Sequence, residues 1–264
     1  MALAHPFETL AFDMQEMLQE RVVVTSATPA QTRNRLTRRL AETFEQIVTA
    51  IEPDLILEVG AHDASFSRKM AQALPHAEVH AFEAHPGNVA RFGPAAREAG
   101  VAYRHLALLD APGTLHLQVP LTGDGGERIG MGSLRTLPGR AVATYDVEAS
   151  SLDALFPGDA RASAMWIDVE GAQHEVLSGG TALLERCKAL YMEVESAEKW
   201  RGQRLFDDIA GLLRGVGLRP ALRDVQRRGW QFNVIFVAEE VMASERMREI
   251  WQGHFKRVLR STIR

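Results

Sequence analysis

The 264-residue chain has a single cysteine, Cys187, so no disulfide can form within it. It has no apolar run long enough to span a bilayer. Its first thirty residues lack the charged, apolar and small-residue zones of a secretory signal. It also lacks a surplus of positive charge, with a net charge of −4. These absences argue against a disulfide-stapled secreted fold, a membrane protein and a nucleic-acid binder, and they predict a cytoplasmic location. Two basic clusters are local (Arg33, Arg35, Arg38 and Arg39, then Lys256, Arg257, Arg260 and Arg264) and read as solvated helix faces. Cys187 adjoins an apolar run and reads as a small buried hydrophobe.

What is present is one sizeable core, with hydrophobic residues at 46% of the chain. Residues 7–20 carry Phe7, Leu10, Met14, Met17 and Leu18 at helical spacing, and residues 33–51 carry Leu36, Leu40, Phe44, Ile47, Val48 and Ile51. Both predict amphipathic helices, the second stopped by Pro53. The division expected is an N-terminal helical extension over 1–52, packed on the core, and a main domain over 53–264. In that domain short apolar runs alternate with helical segments. Strands are expected at Leu55–Val59, Glu78–Phe82, Val101–Leu108, Ala164–Val169 and Ala189–Val194, with helices over 65–74, 86–98, 173–186 and 204–215. The helix over 173–186 is expected to break at Gly179–Gly180, and a charged helix over 239–260 ends the chain. Alternation of this kind gives parallel strands with right-handed crossovers. Leu218–Val225 and Phe232–Ala238 are separated by only a turn and must pair antiparallel. The fold class predicted is α/β: a Rossmann-like, mostly parallel seven-stranded sheet with a C-terminal antiparallel hairpin, plus N-terminal helices. Residues 120–150, rich in glycine, break the alternation and read either as a surface insertion or as a lid over a site at the strand ends.

Open α/β sheets bind ligands beyond the carboxyl ends of their strands. The first strand ends Glu58-Val59-Gly60-Ala61-His62. A dinucleotide site needs three spaced glycines so that pyrophosphate can approach the helix, and here the positions are Gly60, His62 and Ser65. That disfavours a nicotinamide-dependent oxidoreductase. A nucleoside cofactor without pyrophosphate, such as S-adenosylmethionine, fits better. Glu58 is placed to organise contacts to its ammonium, and Glu83, at the tip of the second strand, to accept from both ribose hydroxyls.

Several blocks of the chain resemble the FkbM family of methyltransferases. They are Leu57-Glu58-Val59-Gly60-Ala61, Phe82-Glu83-Ala84-His85-Pro86 with Asn88, Ala107-Leu108-Leu109-Asp110 with Gly113, and Ser151-Leu152-Asp153. The most distinctive is Ile167-Asp168-Val169-Glu170-Gly171-Ala172 with Val176-Leu177 and Gly179, followed by Met192-Glu193-Val194 and Asn233-Val234-Ile235-Phe236-Val237. The resemblance implies methyl transfer from S-adenosylmethionine, usually to an oxygen of a sugar or natural product. It also implies that Glu58, Gly60, Ala61, Glu83 and Ala107–Leu108 surround the cofactor; His62, Ala84 and Asp168 complete the expected cofactor surface. The chain departs from the family pattern in carrying Glu58 for an aspartate, His62 for an asparagine, Ala64 for a glycine and Gln173 for a glutamate.

Methyl transfer to a hydroxyl requires alignment and removal of a proton. Asp168 and Glu170 are the candidates for these tasks, His174 is a third, and Glu193 and Glu195 end the neighbouring strand. If the strands are adjacent, four carboxylates converge, suited to a general base, to hydroxyl positioning or to a divalent metal with oxygen ligands. The function expected is O-methylation of a small or glycosylated hydroxyl compound, in natural product biosynthesis. The alternative is a non-catalytic module that keeps the cofactor fold for protein binding. The terminal helices offer a contact for a homodimer.

Overall fold

The computed structural model describes residues 30–137, 139–224 and 231–262. The helix expected over 7–20 and the turn at Arg228–Gly229 lie outside them.

The first described element, α1 (Ala30–Ile51), buries Leu36, Leu40, Phe44, Ile47 and Val48, a stripe at the spacing of one helix face. It ends before Pro53, whose ring cannot continue a helix. The core then follows as β1 (Leu55–Val59), α2 (Ser65–Ala73), β2 (Glu78–Glu83), α3 (Pro86–Glu98) and β3 (Ala102–His105). Next come β4 (Ala107–Leu108), β5 (Gly113–Pro120), β6 (Val142–Ser150) and α4 (Leu152–Leu155). After them lie β7 (Ser163–Ile167), α5 (Gln173–Ser178), α6 (Thr181–Leu184), β8 (Cys187–Glu195) and α7 (Phe206–Gly215). The chain closes with β9 (Leu218–Arg223), β10 (Gln231–Ala238), α8 (Glu239–Met242) and α9 (Glu245–Thr262).

The main sheet has seven strands in the order β3-β2-β1-β7-β8-β10-β9. β1 is buried along its whole length and lies between β2 and β7, parallel to both. Strand order reverses there, which opens a crevice beyond the carboxyl ends. β10 is antiparallel to β8 and β9, so the C-terminal hairpin is present as the short connection requires.

Three expectations need correction. The strand expected over Val101–Leu108 is two strands: β3 ends at His105, and β4 leaves the main sheet to pair with β6. Leu106 turns between them and donates its N–H to the Glu83 carbonyl. The stretch at 120–150 is not all irregular. β6 pairs antiparallel with β5, and with β4 they form a second sheet of three strands. Alternation at Leu115, Leu117 and Val119 carries that signal, because those residues turn inward against Val147 and Ala149. The terminal helix expected over 239–260 is interrupted between Met242 and Glu245.

α1 and α9 lie side by side on one face of the sheet. Phe44 of α1 packs on Phe66, Trp166 and Tyr191, and Trp166 stacks on Tyr191 at 3.7 Å. Thr37 donates to the buried Asp224 carboxylate at 2.6 Å, tying the helix to the hairpin. Between the two helices, Thr43 Oγ1 and His254 Nδ1 lie 2.9 Å apart. Burial, reinforced by Arg257 and Arg39, pushes the His254 pKa down to about 4 from 6.5. Between those values the unfolded chain takes up a proton that the folded chain refuses, so stability falls as pH drops from about 6.5 to about 4. We predict a loss of roughly 1–3 kcal/mol on going from pH 7 to pH 4.5 from this group. His254→Gln should flatten that part of the pH–Tm curve; an unchanged slope would assign it elsewhere.

Candidate functional site

A cavity of about 400 Å³ opens beyond the tips of β1, β2 and β7. Its first wall is the turn from β1 to α2. Gly60 has φ of +77°, and a Cβ on it would lie 2.0 Å from the Asp168 carbonyl oxygen, so only glycine lets the two strand tips close. The Gly60 and Ala61 N–H groups donate to the Phe82 carbonyl at 2.9 and 3.0 Å, and Asp168 N–H donates to the Val59 carbonyl at 2.9 Å. Three strand ends are thereby fixed around one opening.

The turn continues through His62 and Ala64, both left-handed with φ of 44° and 52°. These are the positions where the chain replaces an asparagine and a glycine of the family pattern. The backbone keeps a conformation those residues adopt readily, at a cost of about 1 kcal/mol for each side chain carried there. Ala64 is also the N-cap of α2 and has no side chain to cap it. Glu58 supplies that function from β1: its carboxylate accepts from Ser67 N–H at 2.8 Å. Glu58 is 4% exposed, and burial pushes its pKa up to about 8 despite the hydrogen bonds from Ser67. It lines the cavity, but its carboxylate is engaged with the helix.

Glu83 ends β2 with one oxygen accepting from His62 N–H and the other from His85 N–H, both at 2.7 Å. A carboxylate has about four acceptor directions, so it retains capacity for a ligand. Beside it Asn88 donates to Glu83 at 3.4 Å and to the Ile129 carbonyl at 3.2 Å, while its buried Oδ1 has no partner. An orphaned acceptor in a cavity wall is costly unless a ligand donates to it.

Two acids at the end of β7 face different environments. Asp168 is exposed to the open cavity, and among the described residues nothing donates to its carboxylate. Surrounding protein and the Glu170 charge raise its proton affinity, an effect that Lys199 opposes. Glu170 is held instead: its Oε2 accepts from Lys199 Nζ at 2.6 Å and from Trp200 Nε1 at 2.9 Å. Gly171, with φ of +78°, makes room for Trp200, whose ring would meet a Cβ there at 2.8 Å. Trp200 is fully buried, so it packs and locks Glu170 in place of stacking on a ligand.

β7 and β8 are adjacent and parallel, and one oxygen from each of Glu170, Glu193 and Glu195 lies within 4.8 Å of the others. Gln173 donates to the Glu193 carbonyl at 3.1 Å and to Glu195 Oε2 at 3.3 Å. Gln203 donates to the same Glu195 oxygen at 3.0 Å, and Gln231 donates to Glu193. Burial raises the pKa of Glu195 to about 7, with Glu170 adding to it, and raises that of Glu193 as well.

The segment between β5 and β6 crosses the cavity as a strap, lining it with Ile129, Gly130 and Gly132–Leu134. At one rim Glu127 accepts from Tyr145 and pairs with His85 Nε2 at 3.1 Å, and His85 also caps α3. At the other rim Ser133 donates to the Glu170 carbonyl and Arg135 to the Gly171 carbonyl, each at 2.5 Å. Arg135 also pairs with Glu175.

Of the residues singled out in the sequence, Glu58, Gly60, Ala61, His62, Glu83, Ala84, Ala107, Leu108, Asp168 and Glu170 all line this cavity. His174 does not; it sits on α5 with Nδ1 3.3 Å from Ser178 Oγ. Asn88, Ser133, Arg135 and Lys199 were not expected at the site. Asn88 belonged to a family block without an assigned role, and the other three had no local signal because they come from distant loops.

A model of the methyltransferase FkbM domain matches residues 58–220 of this sequence, which span the whole cavity wall just described. This chain belongs to the FkbM methyltransferase family. The 2-O-methyltransferase NoeI of Sinorhizobium fredii is 30% identical over 187 residues, covering 64% of this chain and 75% of that protein. Among solved structures, Methyltransferase FkbM from Methylobacillus flagellatus KT superposes with a TM-score of 0.47 at 10% identity, over 70% of this chain and 44% of that one. This chain thus spans less than half the length of that protein. Magnesium protoporphyrin IX methyltransferase (ChlM) from Synechocystis with bound SAM superposes at 0.43 with 13% identity, over 90% and 100% of the two chains. The cavity of this FkbM-family chain fits a methyl-donor nucleoside: its size is that of a small-molecule site, and an orphaned acceptor and a part-occupied carboxylate stand side by side.

The turn makes a paired prediction. Gly60→Ala should cost roughly 3 kcal/mol or more by chemical denaturation, because backbone must move. Ala64→Gly should change stability by less than about 1 kcal/mol, relief of strain offsetting lost chain stiffness. Equal effects of the two would refute this reading of the turn.

Proposed function

We propose that the chain transfers a methyl group from S-adenosylmethionine to a hydroxyl oxygen of a small or glycosylated acceptor. The observation that carries this is the free Asp168 carboxylate, facing the same cavity as Glu83 while Glu170 beside it is tied to Lys199 and Trp200. The name of NoeI, a 2-O-methyltransferase, supports an oxygen acceptor.

When bound, S-adenosylmethionine supplies an electrophilic methyl on a sulfonium sulfur. Glu83 and Asn88 hold the ribose and base side of the cavity, and the Gly60–His62 backbone and Ala107–Leu108 give it shape. Asp168 accepts a hydrogen bond from the acceptor hydroxyl and takes its proton as the oxygen–methyl bond forms and the sulfur–methyl bond breaks. The strap over 127–136 covers the acceptor and excludes water. Residues 53–264 carry this chemistry, and α1, the described part of the N-terminal extension, packs against them. A location in the cytoplasm and a role in natural product biosynthesis accord with this reading.

Two variants separate binding from chemistry. Glu83→Ala should weaken calorimetric binding of S-adenosylhomocysteine about tenfold or more, the loss of a charged hydrogen bond. Asp168→Asn should leave that binding within a few-fold but lower methyl transfer to a panel of sugar hydroxyls by about 10²–10⁴. Absence of S-adenosylhomocysteine binding, or full transfer by Asp168→Asn, contradicts the proposal.

A further inference from the structure

The acids at the ends of β7 and β8 form a second feature, beside the cavity, that methyl transfer does not use. One oxygen from each of Glu170, Glu193 and Glu195 lies within 4.8 Å of the others, close enough for a single ion to touch all three. Glu195 is 1% exposed, and its Oε2 takes both glutamine donors, from Gln173 and Gln203. Its Oε1 is buried and has no hydrogen-bond partner. Glu170 shows the same division: Lys199 and Trp200 both bind Oε2, and among the described residues nothing donates to Oε1. A buried carboxylate oxygen without a donor is costly, and it becomes costlier beside other acids. Four donors crowd onto two oxygens of this group while a buried neighbour receives none, so the donors leave an opening.

We propose that Glu170, Glu193 and Glu195 form a binding site for a divalent cation. The donor set is oxygen only, which selects the hard cations Mg²⁺, Mn²⁺ or Ca²⁺ over zinc or copper. Glu170 and Glu193 are only partly buried, which leaves some access for the water molecules such ions retain. Gln173 and Gln203 act as positioning residues, holding Glu195 by the oxygen that the ion does not need. Bound cation would also brace the strap, because Ser133 is anchored on the Glu170 carbonyl. The site stands independently of the methyl-transfer reading, since cation binding is measured without donor, acceptor or turnover.

The test uses the full chain. Terbium(III) serves as a luminescent stand-in, sensitised by Trp200, whose Nε1 is 2.9 Å from Glu170. Terbium should give saturable emission on tryptophan excitation, and Mg²⁺, Mn²⁺ or Ca²⁺ should displace it. Calorimetry with Mg²⁺, Mn²⁺ or Ca²⁺ alone should show uptake that Glu195→Gln weakens about tenfold or more. Glu193→Gln, at a less buried position, should do the same and stands in if Glu195→Gln does not fold. Asp146→Asn, on the exposed face of β6, should leave binding unchanged. No uptake of any of the three ions at millimolar concentration overturns the proposal, as does uptake that neither glutamine substitution weakens.

Discussion

The site depends on one contact, the approach of Gly60 to the backbone of Asp168. Where the first strand ends, the chain must turn within the width of a neighbouring strand, and the space for a side chain is already filled by a carbonyl oxygen. Because the turn is tight, the Gly60 and Ala61 N–H groups reach the end of β2 while Asp168 N–H reaches back to β1. Glu83 then accepts from both His62 and His85, so the turn and the start of α3 are held by the same carboxylate that faces the cavity. Fold and site are therefore fixed by the same few bonds. Packing on either face of the sheet, including the aromatic group of Phe44, Trp166 and Tyr191, supports this rim from below.

Charge at the rim is sorted by environment. Asp168 and Glu170 are two residues apart and carry the same chemistry, yet one is open to the cavity and the other is bound by a lysine and an indole. That contrast gives two carboxylates separate tasks without separate residue types. Glu58 follows the same rule. At the end of β1 it points at the first turn of α2, where Ala64 cannot cap, and it accepts there from Ser67 N–H in place of a capping side chain. The acids of β8 accept from glutamines, Glu195 through one oxygen only. Gln173 stands where the family pattern has an acid, and an amide there donates to Glu195 where a second carboxylate would repel it.

The main sheet was legible in the sequence because its strands are short apolar runs closed by glycine or acids, and its hairpin because so few residues separate the last two strands. The second sheet was less legible. Its β5 alternates clearly, but β4 is two residues long and follows β3 after Leu106 alone, so the passage from one sheet to the other leaves no mark. The cavity wall at the strand tips was readable because it is built from consecutive residues. The strap was not: Ser133 and Arg135 reach the rim through bonds to the carbonyls of Glu170 and Gly171, and a carbonyl partner has no sequence signature. His174 was drawn in by its spacing from Glu170, one helical turn on; α5 begins only at Gln173 and carries the imidazole toward Ser178. Helical spacing predicts a shared face only where both residues lie within the helix.

We propose that the donor nucleoside lies across the tips of β2, β1 and β7 with its sulfur directed at Asp168. A crystal structure of the chain with S-adenosylhomocysteine measures this directly. The account predicts ribose hydroxyls within hydrogen-bond distance of Glu83 and the sulfur on the Asp168 side of the cavity, under the strap. A ligand bound elsewhere, or one whose sulfur points away from Asp168 toward solvent, would contradict it.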